Sequence, residues 1–197
     1  MLALLGGIGA WTTHRAGLPK SGVRTDPGGI HDGEVLPSLK SASGNSLIAF
    51  SSGCFWGSEH AFRKMPGIVA TAVGYTGGTS TFPNEQVAHA TGHLETVLVE
   101  FNPKLTPITE LLKVFWTLPR SKAPLASRTS KSSYEATIWT YNSDETKQAE
   151  LGKKALEKSL HTQLAVQILA AQPFYFAEDF HQQYDEKAGK ELCRATP

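Results

Sequence analysis

The apolar run Leu47-Ile48-Ala49-Phe50 passes through two serines into Gly53-Cys54-Phe55-Trp56-Gly57. A short apolar run closed by a glycine reads as a strand and a tight turn, and the residues beyond carry helical spacing. The segment therefore predicts strand, turn and helix, with Cys54 at the first residues of that helix. A cysteine so placed faces unpaired backbone N–H groups and the positive end of the helix dipole, both of which favour thiolate over thiol. An unperturbed thiol titrates near ~8.5, and such surroundings bring it to neutrality or below. Phe55 and Trp56 crowd the sulfur with aromatic surface, a seat for a small apolar group. Cys54 is the candidate nucleophile.

Downstream the pattern alternates between the two periodicities. Residues 47–51 predict a strand, 54–65 a helix that sets Cys54, Ser58, Ala61 and Met65 on adjoining positions, and 69–75 a second strand ended by Gly77-Gly78. Residues 79–91 read as loop and 93–101 as a strand. Pro107 then opens a helix through Trp116, proline being tolerated at a first helical position. A strand over 134–140 follows. Asn142 with Glu145 three residues later resembles a capping box that starts a helix toward Leu160, and 164–170 closes the set. The expected architecture is a two-layer α+β domain with helices on one face of a mixed sheet.

With 197 residues, 40% of them hydrophobic, the chain can bury one substantial core. Its net charge of +1 and scattered lysines and arginines give no footprint for nucleic acid. Two cysteines, Cys54 and Cys193, do not make a disulfide-stapled scaffold; they suit a reducing compartment or a redox pair. Met1 to Trp11 is apolar and glycine-rich but shorter than the ~20 residues a membrane span takes, and no basic stretch precedes it. No acid occurs in the first 25 residues, which hold Arg15, Lys20 and Arg24 among hydroxylated residues. That composition leans toward an organelle transit peptide, with a disordered tail as the other reading. Residues 1–44 are thus expected to form an N-terminal extension and 45–197 one catalytic domain. A cytoplasmic protein is expected, or a mitochondrial or plastid one if the extension is an address, monomeric and without a membrane partner.

Glu95 is the second candidate. Alternation along 93–101 sets it on one face with Val97, Val99 and Phe101. Burial there would raise its pKa and keep it protonated near neutrality, as suits the removal of an oxygen beside a nucleophile. The opposite assignment, with Leu94 and Leu98 buried and Glu95 in solvent, stays open on pattern alone. Other motifs carry little. His89 and His93 stand four apart but lack a third ligand, and read as solvent-facing or core histidines, so no metal is expected. No Cys-x-x-Cys is present, and the glycines from Gly74 to Gly78 lack the lysine of a phosphate-binding loop.

Four blocks in order, Gly53-Cys54-Phe55-Trp56-Gly57 followed by Glu59, Val73-Gly74-Tyr75-Thr76-Gly77-Gly78, Gly92-His93-Leu94-Glu95, and Phe174-Tyr175-Phe176-Ala177-Glu178-Asp179-Phe180-His181-Gln182-Gln183-Tyr184, resemble the type A peptide methionine sulfoxide reductases (MsrA). The resemblance covers roughly residues 45–193. It implies a ferredoxin-like α/β roll and thiol-dependent reduction of the S epimer of methionine sulfoxide, free or in oxidised proteins. It implies Cys54 as nucleophile, Glu95 as catalytic acid, and Tyr134 and Tyr184 as residues that bind and polarise the substrate oxygen. Phe55 and Trp56 would seat the methyl group. Cys193 would be the resolving cysteine, condensing with a Cys54 sulfenic acid. No third cysteine follows it, so thioredoxin or a similar dithiol would reduce the disulfide directly, with no bound cofactor. Asp179 and His181 belong to the matching block without an assigned role.

Two positions depart from the family pattern. Thr129, five before Tyr134, stands where many members carry an aspartate, within a rewritten stretch over 117–133, and Asn84 stands where many have a third tyrosine. The resemblance thus implies a weakened enzyme. The alternatives are a degraded relative that binds methionine sulfoxide or a partner without turnover, and a peroxide-responsive thiol protein.

Overall fold

The computed structural model describes residues 44–81, 83–127 and 135–189. Six strands form one sheet in the order β5-β4-β1-β3-β2-β6. β1 (Ser46–Ser51), α1 (Phe55–Arg63) and β2 (Ile68–Thr76) come first, and β3 (Leu94–Phe101) then inserts between β1 and β2, antiparallel to both. β4 (Thr137–Thr140) pairs antiparallel with the other side of β1, after α3 (Ile108–Phe115). This β-α-β-β-α-β order is the split βαβ arrangement of ferredoxin-like folds. The sheet is mixed because β5 (Gln167–Ala170) runs parallel to β4, and α4 (Ser143–Leu160) supplies the crossover that parallel neighbours need. β6 (Phe174–Phe176) pairs antiparallel with β2 at the opposite edge.

The long helices share one face of the sheet, as expected. Ile48, Phe50, Val73, Val97, Val99 and Ile138 meet Phe62 of α1, Leu111, Leu112 and Phe115 of α3, and Ala149 of α4. Phe50 stacks on both Phe62 and Phe115, with ring centroids 4.7 and 5.3 Å away. The reverse face holds a second cluster, Leu47, Ala49, Ala72, Leu98, Trp139 and Phe174, with no helical residue in it. Both faces of the central strands are therefore dry, which is why β1 reads as an unbroken apolar run instead of an alternation.

Local chemistry sets the element ends. Asn142 caps α4 by accepting the Glu145 N–H at 2.9 Å, and Glu145 reaches back to the Tyr141 N–H at 2.7 Å. Such a reciprocal cap contributes about 1 kcal/mol. Pro107 stands one position earlier than expected, as the N-cap of α3 and not its first helical residue. Three short elements differ from the sequence reading. The loop expected over 79–91 contains α2 (Glu85–Ala88), and β6 and α5 (Tyr184–Lys187) were not anticipated. Elements of three or four residues are too short to display a period. β6 is held instead by contact: a side chain at Gly74 would collide with the Tyr175 carbonyl and the Phe174 ring. The expectations for residues 1–43, and the start of the strand expected from Tyr134, lie outside the described residues.

Candidate active site

Gly53 adopts φ +85°, a left-handed turn that a side chain would strain, and so brings the chain sharply from β1 into α1. Cys54 is the N-cap of that helix, and its carbonyl accepts the Ser58 hydroxyl at 3.2 Å. The residue is exposed, at the mouth of a turn whose next N–H belongs to the helix start. No acidic side chain occupies the first turn of α1 to offset the positive end of its dipole.

That next N–H, of Phe55, is donated to Glu95 Oε2 at 3.1 Å. The bond ties β3 to the helix that Cys54 caps. Val97, Val99 and Phe101 face the helices, whereas Leu94 packs with the reverse cluster, so Glu95 takes the helix-side alternative that pattern alone left open. Burial pushes the Glu95 carboxyl above the usual carboxylate range; the Phe55 N–H and His89 oppose this in part. The second oxygen, Oε1, lies 3.5 Å from His89 Nε2. Tyr75 stands directly opposite Glu95 in the β2–β3 register. Cys54, Phe55, Trp56, Tyr75, Glu85, His89, Glu95 and His181 line a cleft of about 110 Å³.

The aromatic wall is braced from behind. The Trp56 indole N–H donates to His181 Nδ1 at 3.0 Å, and an indole can only donate, so a neutral His181 carries its proton on Nε2. Burial holds the His181 pKa below the ordinary imidazole value, even though Glu85 and Glu178 stand 3.6 and 3.9 Å from Nε2. Tyr184 lies flat on Trp56, with centroids 3.7 Å apart and planes 11° apart. It therefore reaches the cleft through Trp56, whereas Tyr75 is the phenol that lines it. The Tyr75 hydroxyl donates to Glu178 Oε2 at 3.2 Å, and burial followed by the Glu178 charge raises its pKa.

The block from Phe174 to Tyr184 is fastened by side chains that imitate strand pairing. Gln182 Oε1 accepts the Val73 N–H at 2.9 Å, while its Nε2 donates to the Val73 and Ala177 carbonyls, both at 2.8 Å. Gln183 donates its backbone N–H and its Nε2 to the buried Glu59 carboxyl at 2.7 and 2.9 Å. Arg63, buried beneath, pairs with Glu186 at 2.9 Å and donates to Thr71 at 2.8 Å. These bonds assign a physical role to Glu59 and to the glutamine pair that closes the last motif.

Of the residues singled out in the sequence, Cys54, Phe55, Trp56 and Glu95 meet in the cleft, and Tyr184 supports it. Tyr134, Thr129 and Cys193 lie outside the described residues. Asn84 does not face the cleft: its side chain caps α2 by accepting the Val87 N–H at 3.2 Å. The two histidines divide as expected: His93 is a core residue, 3.0 Å from the Thr91 hydroxyl and edge-on to Tyr175, and His89 is exposed, though its Nε2 also meets Glu95 at the cleft. Tyr75, Glu85, His89 and His181 were missed as site residues. The period of β2 sets Tyr75 on the face of Val73, a signal that could have found it. Nothing local marked Glu85 or His89. Among the described residues no cluster of three or more His, Cys, Asp or Glu is arranged to hold a metal ion.

A family model described as peptide methionine sulfoxide reductase matches residues 46–197. The peptide methionine sulfoxide reductase MsrA of Methanosarcina acetivorans is 42% identical over 152 residues, which cover 74% of this chain and 80% of that protein. The peptide methionine sulfoxide reductase of Fragaria ananassa is 38% identical over 155 residues, covering 74% of this chain and 78% of its own. In fold, the chain is similar to reduced Mxr1 from Saccharomyces cerevisiae, with a TM-score of 0.68 at 24% identity over 83% of this chain and 95% of that one. Methionine sulfoxide reductase A of Corynebacterium diphtheriae gives a TM-score of 0.65 at 24% identity over 88% and 90%. A match that spans the whole sheet, both walls of the cleft and all four sequence blocks places this chain in the peptide methionine sulfoxide reductase family.

Proposed function

We propose that the protein reduces methionine sulfoxide, free and in oxidised proteins, to methionine, with preference for the S epimer, and that residues 45–197 form its catalytic domain. One observation carries the reading: the exposed N-cap cysteine and a buried carboxyl share the start of one helix, joined through the Phe55 N–H at 3.1 Å, beside an aromatic wall. The Cys54 thiolate attacks the sulfoxide sulfur while Glu95 gives a proton to its oxygen. The sulfur–oxygen bond breaks, the oxygen passes to Cys54 as sulfenic acid, and methionine leaves reduced by two electrons. Phe55 and Trp56 offer the methyl group an apolar surface, which a peroxide would not need. Cys193 then condenses with the sulfenic acid, releasing water, and thioredoxin or another dithiol reduces the resulting disulfide.

The test is dithiothreitol-driven reduction of racemic methionine sulfoxide, with the remaining epimers resolved by chiral chromatography and Cys54→Ser run alongside. Loss of the S epimer alone, and only with Cys54 present, is the expected result. Retention of both epimers by folded protein would overturn the reading and leave binding without turnover. Cys193→Ser, assayed with thioredoxin and then with dithiothreitol, separates resolution from the first chemical step.

A further inference from the structure

Glu95 is held by two different partners, one on each oxygen. Oε2 takes the Phe55 N–H, a backbone donor that cannot let go of its proton. Oε1 faces Nε2 of His89, a ring nitrogen that can both take up and give up a proton. The exposures run in sequence: the His89 side chain is 37% exposed and the Glu95 side chain 13%. His89 is therefore the more exposed partner of a largely buried carboxyl.

The histidine is fixed where it stands. It is the C-cap of α2, and the turn that follows is tied down by Gly92 N–H to the His89 carbonyl at 3.3 Å and His93 N–H to the Ala88 carbonyl at 2.9 Å. The other end of α2 is capped by Asn84, and the Glu85 N–H is donated to Glu178 at 3.1 Å. At 3.5 Å the His89–Glu95 contact is an ion-pair distance, and a small rotation or one bridging water makes it a proton path.

We propose that His89 and Glu95 act as one pair, in which Glu95 touches the substrate and His89 is a positioning residue that returns the proton Glu95 spends in each turnover. The proposal rests on the sulfoxide reductase reading above. In each turnover Glu95 gives one proton to the sulfoxide oxygen, which ends as the hydroxyl of the Cys54 sulfenic acid. The carboxylate left behind takes the Nε2 proton of a protonated His89, whose ring becomes neutral and is then protonated again from solvent. No electrons pass through the pair. Besides each other, its members share the cleft with Glu85 from α2, Tyr75 from β2, the N-cap Cys54 with Phe55 and Trp56 of α1, and His181 from the C-terminal segment.

His89 draws the Glu95 pKa down, so its removal should let burial raise that pKa further. His89→Gln should therefore lower kcat roughly tenfold by slowing the return of the proton, with the falling limb displaced to higher pH and KM kept within about twofold. Added imidazole should restore part of the rate in His89→Gly. A second readout needs no turnover: the NMR titration of the Glu95 carboxyl should move to higher pH in His89→Gln, because His89 opposes the rise that burial gives it. An unmoved limb in His89→Gln together with an unmoved Glu95 titration would overturn the pair. If wild-type protein reduced no sulfoxide, the functional reading would fail, while the NMR titration would still decide the pair.

Discussion

The two walls of the cleft are built by different means. Cys54 caps α1, and Phe55, Glu95 and Tyr75 stand on α1, β3 and β2, elements locked by continuous strand pairing and a shared apolar core. Glu85, His89, Glu178 and His181 stand on a four-residue helix and an irregular segment, held by capping and by side chains bonded to backbone. The groups proposed to react are thus on the stiff wall, and those proposed to brace and feed them on the other. A misplacement of a reacting group costs rate steeply.

If this division holds, changes on the first wall should abolish chemistry without much loss of fold, and changes on the second should do the reverse. The largest effect is expected for Cys54→Ser: turnover below detection with the melting temperature within a few degrees of wild type, checked by sulfoxide assay and calorimetry. Residual turnover in that variant would remove Cys54 as nucleophile. Glu95→Gln comes next, with kcat lowered about a hundredfold or more. Because burial raises the Glu95 pKa, its acid form persists above the ordinary carboxylate range and is lost as pH rises through the raised value. The falling limb of wild-type turnover should therefore be absent from Glu95→Gln when both are followed over roughly pH 6 to 9. A variant that kept full turnover across that range would dismiss the acid role.

On the second wall, Gln182→Ala leaves the Val73 N–H and two carbonyls without their partner. A loss of about 3 kcal/mol, or about 10 °C in melting temperature, is expected, with kcat reduced less than stability would suggest. An unchanged melting curve would show that the segment is held elsewhere. Tyr184→Leu is the mildest. Removing the stack on Trp56 should cost about 1 kcal/mol and raise KM about fivefold while kcat stays near wild type. A collapse of kcat instead would move Tyr184 from support to direct contact with the reacting oxygen.

The same division decides what could be read from residues alone. The stiff wall was legible because its rules are local: a strand, a positive-φ glycine and an N-cap follow from the run around Gly53, and the Asn142–Glu145 cap from two residues. Glu95 was half legible, since alternation named two faces but not which one the helices cover. The other wall was opaque. His89 gains its place by a contact with Glu95 across a turn, and Gln182 by a contact 109 residues away. Neither leaves a period behind. His89 was set aside as an incomplete metal spacing, when its partner was a carboxyl. Asn84, noted as a missing phenol, turned out to serve the cap of α2.

The two faces of β3 are both dry but not alike. Val97, Val99 and Phe101 pack with the helix-side cluster, whereas Leu98 on the other face alternates with the buried polar residues Thr96 and Glu100. A one-residue slip of this strand would carry Thr96 and Glu100 into the helix-side core and Glu95 to the side away from Cys54. The parity that keeps the core apolar is thus the parity that aims Glu95 at the cleft, and a lesion in one is felt in the other.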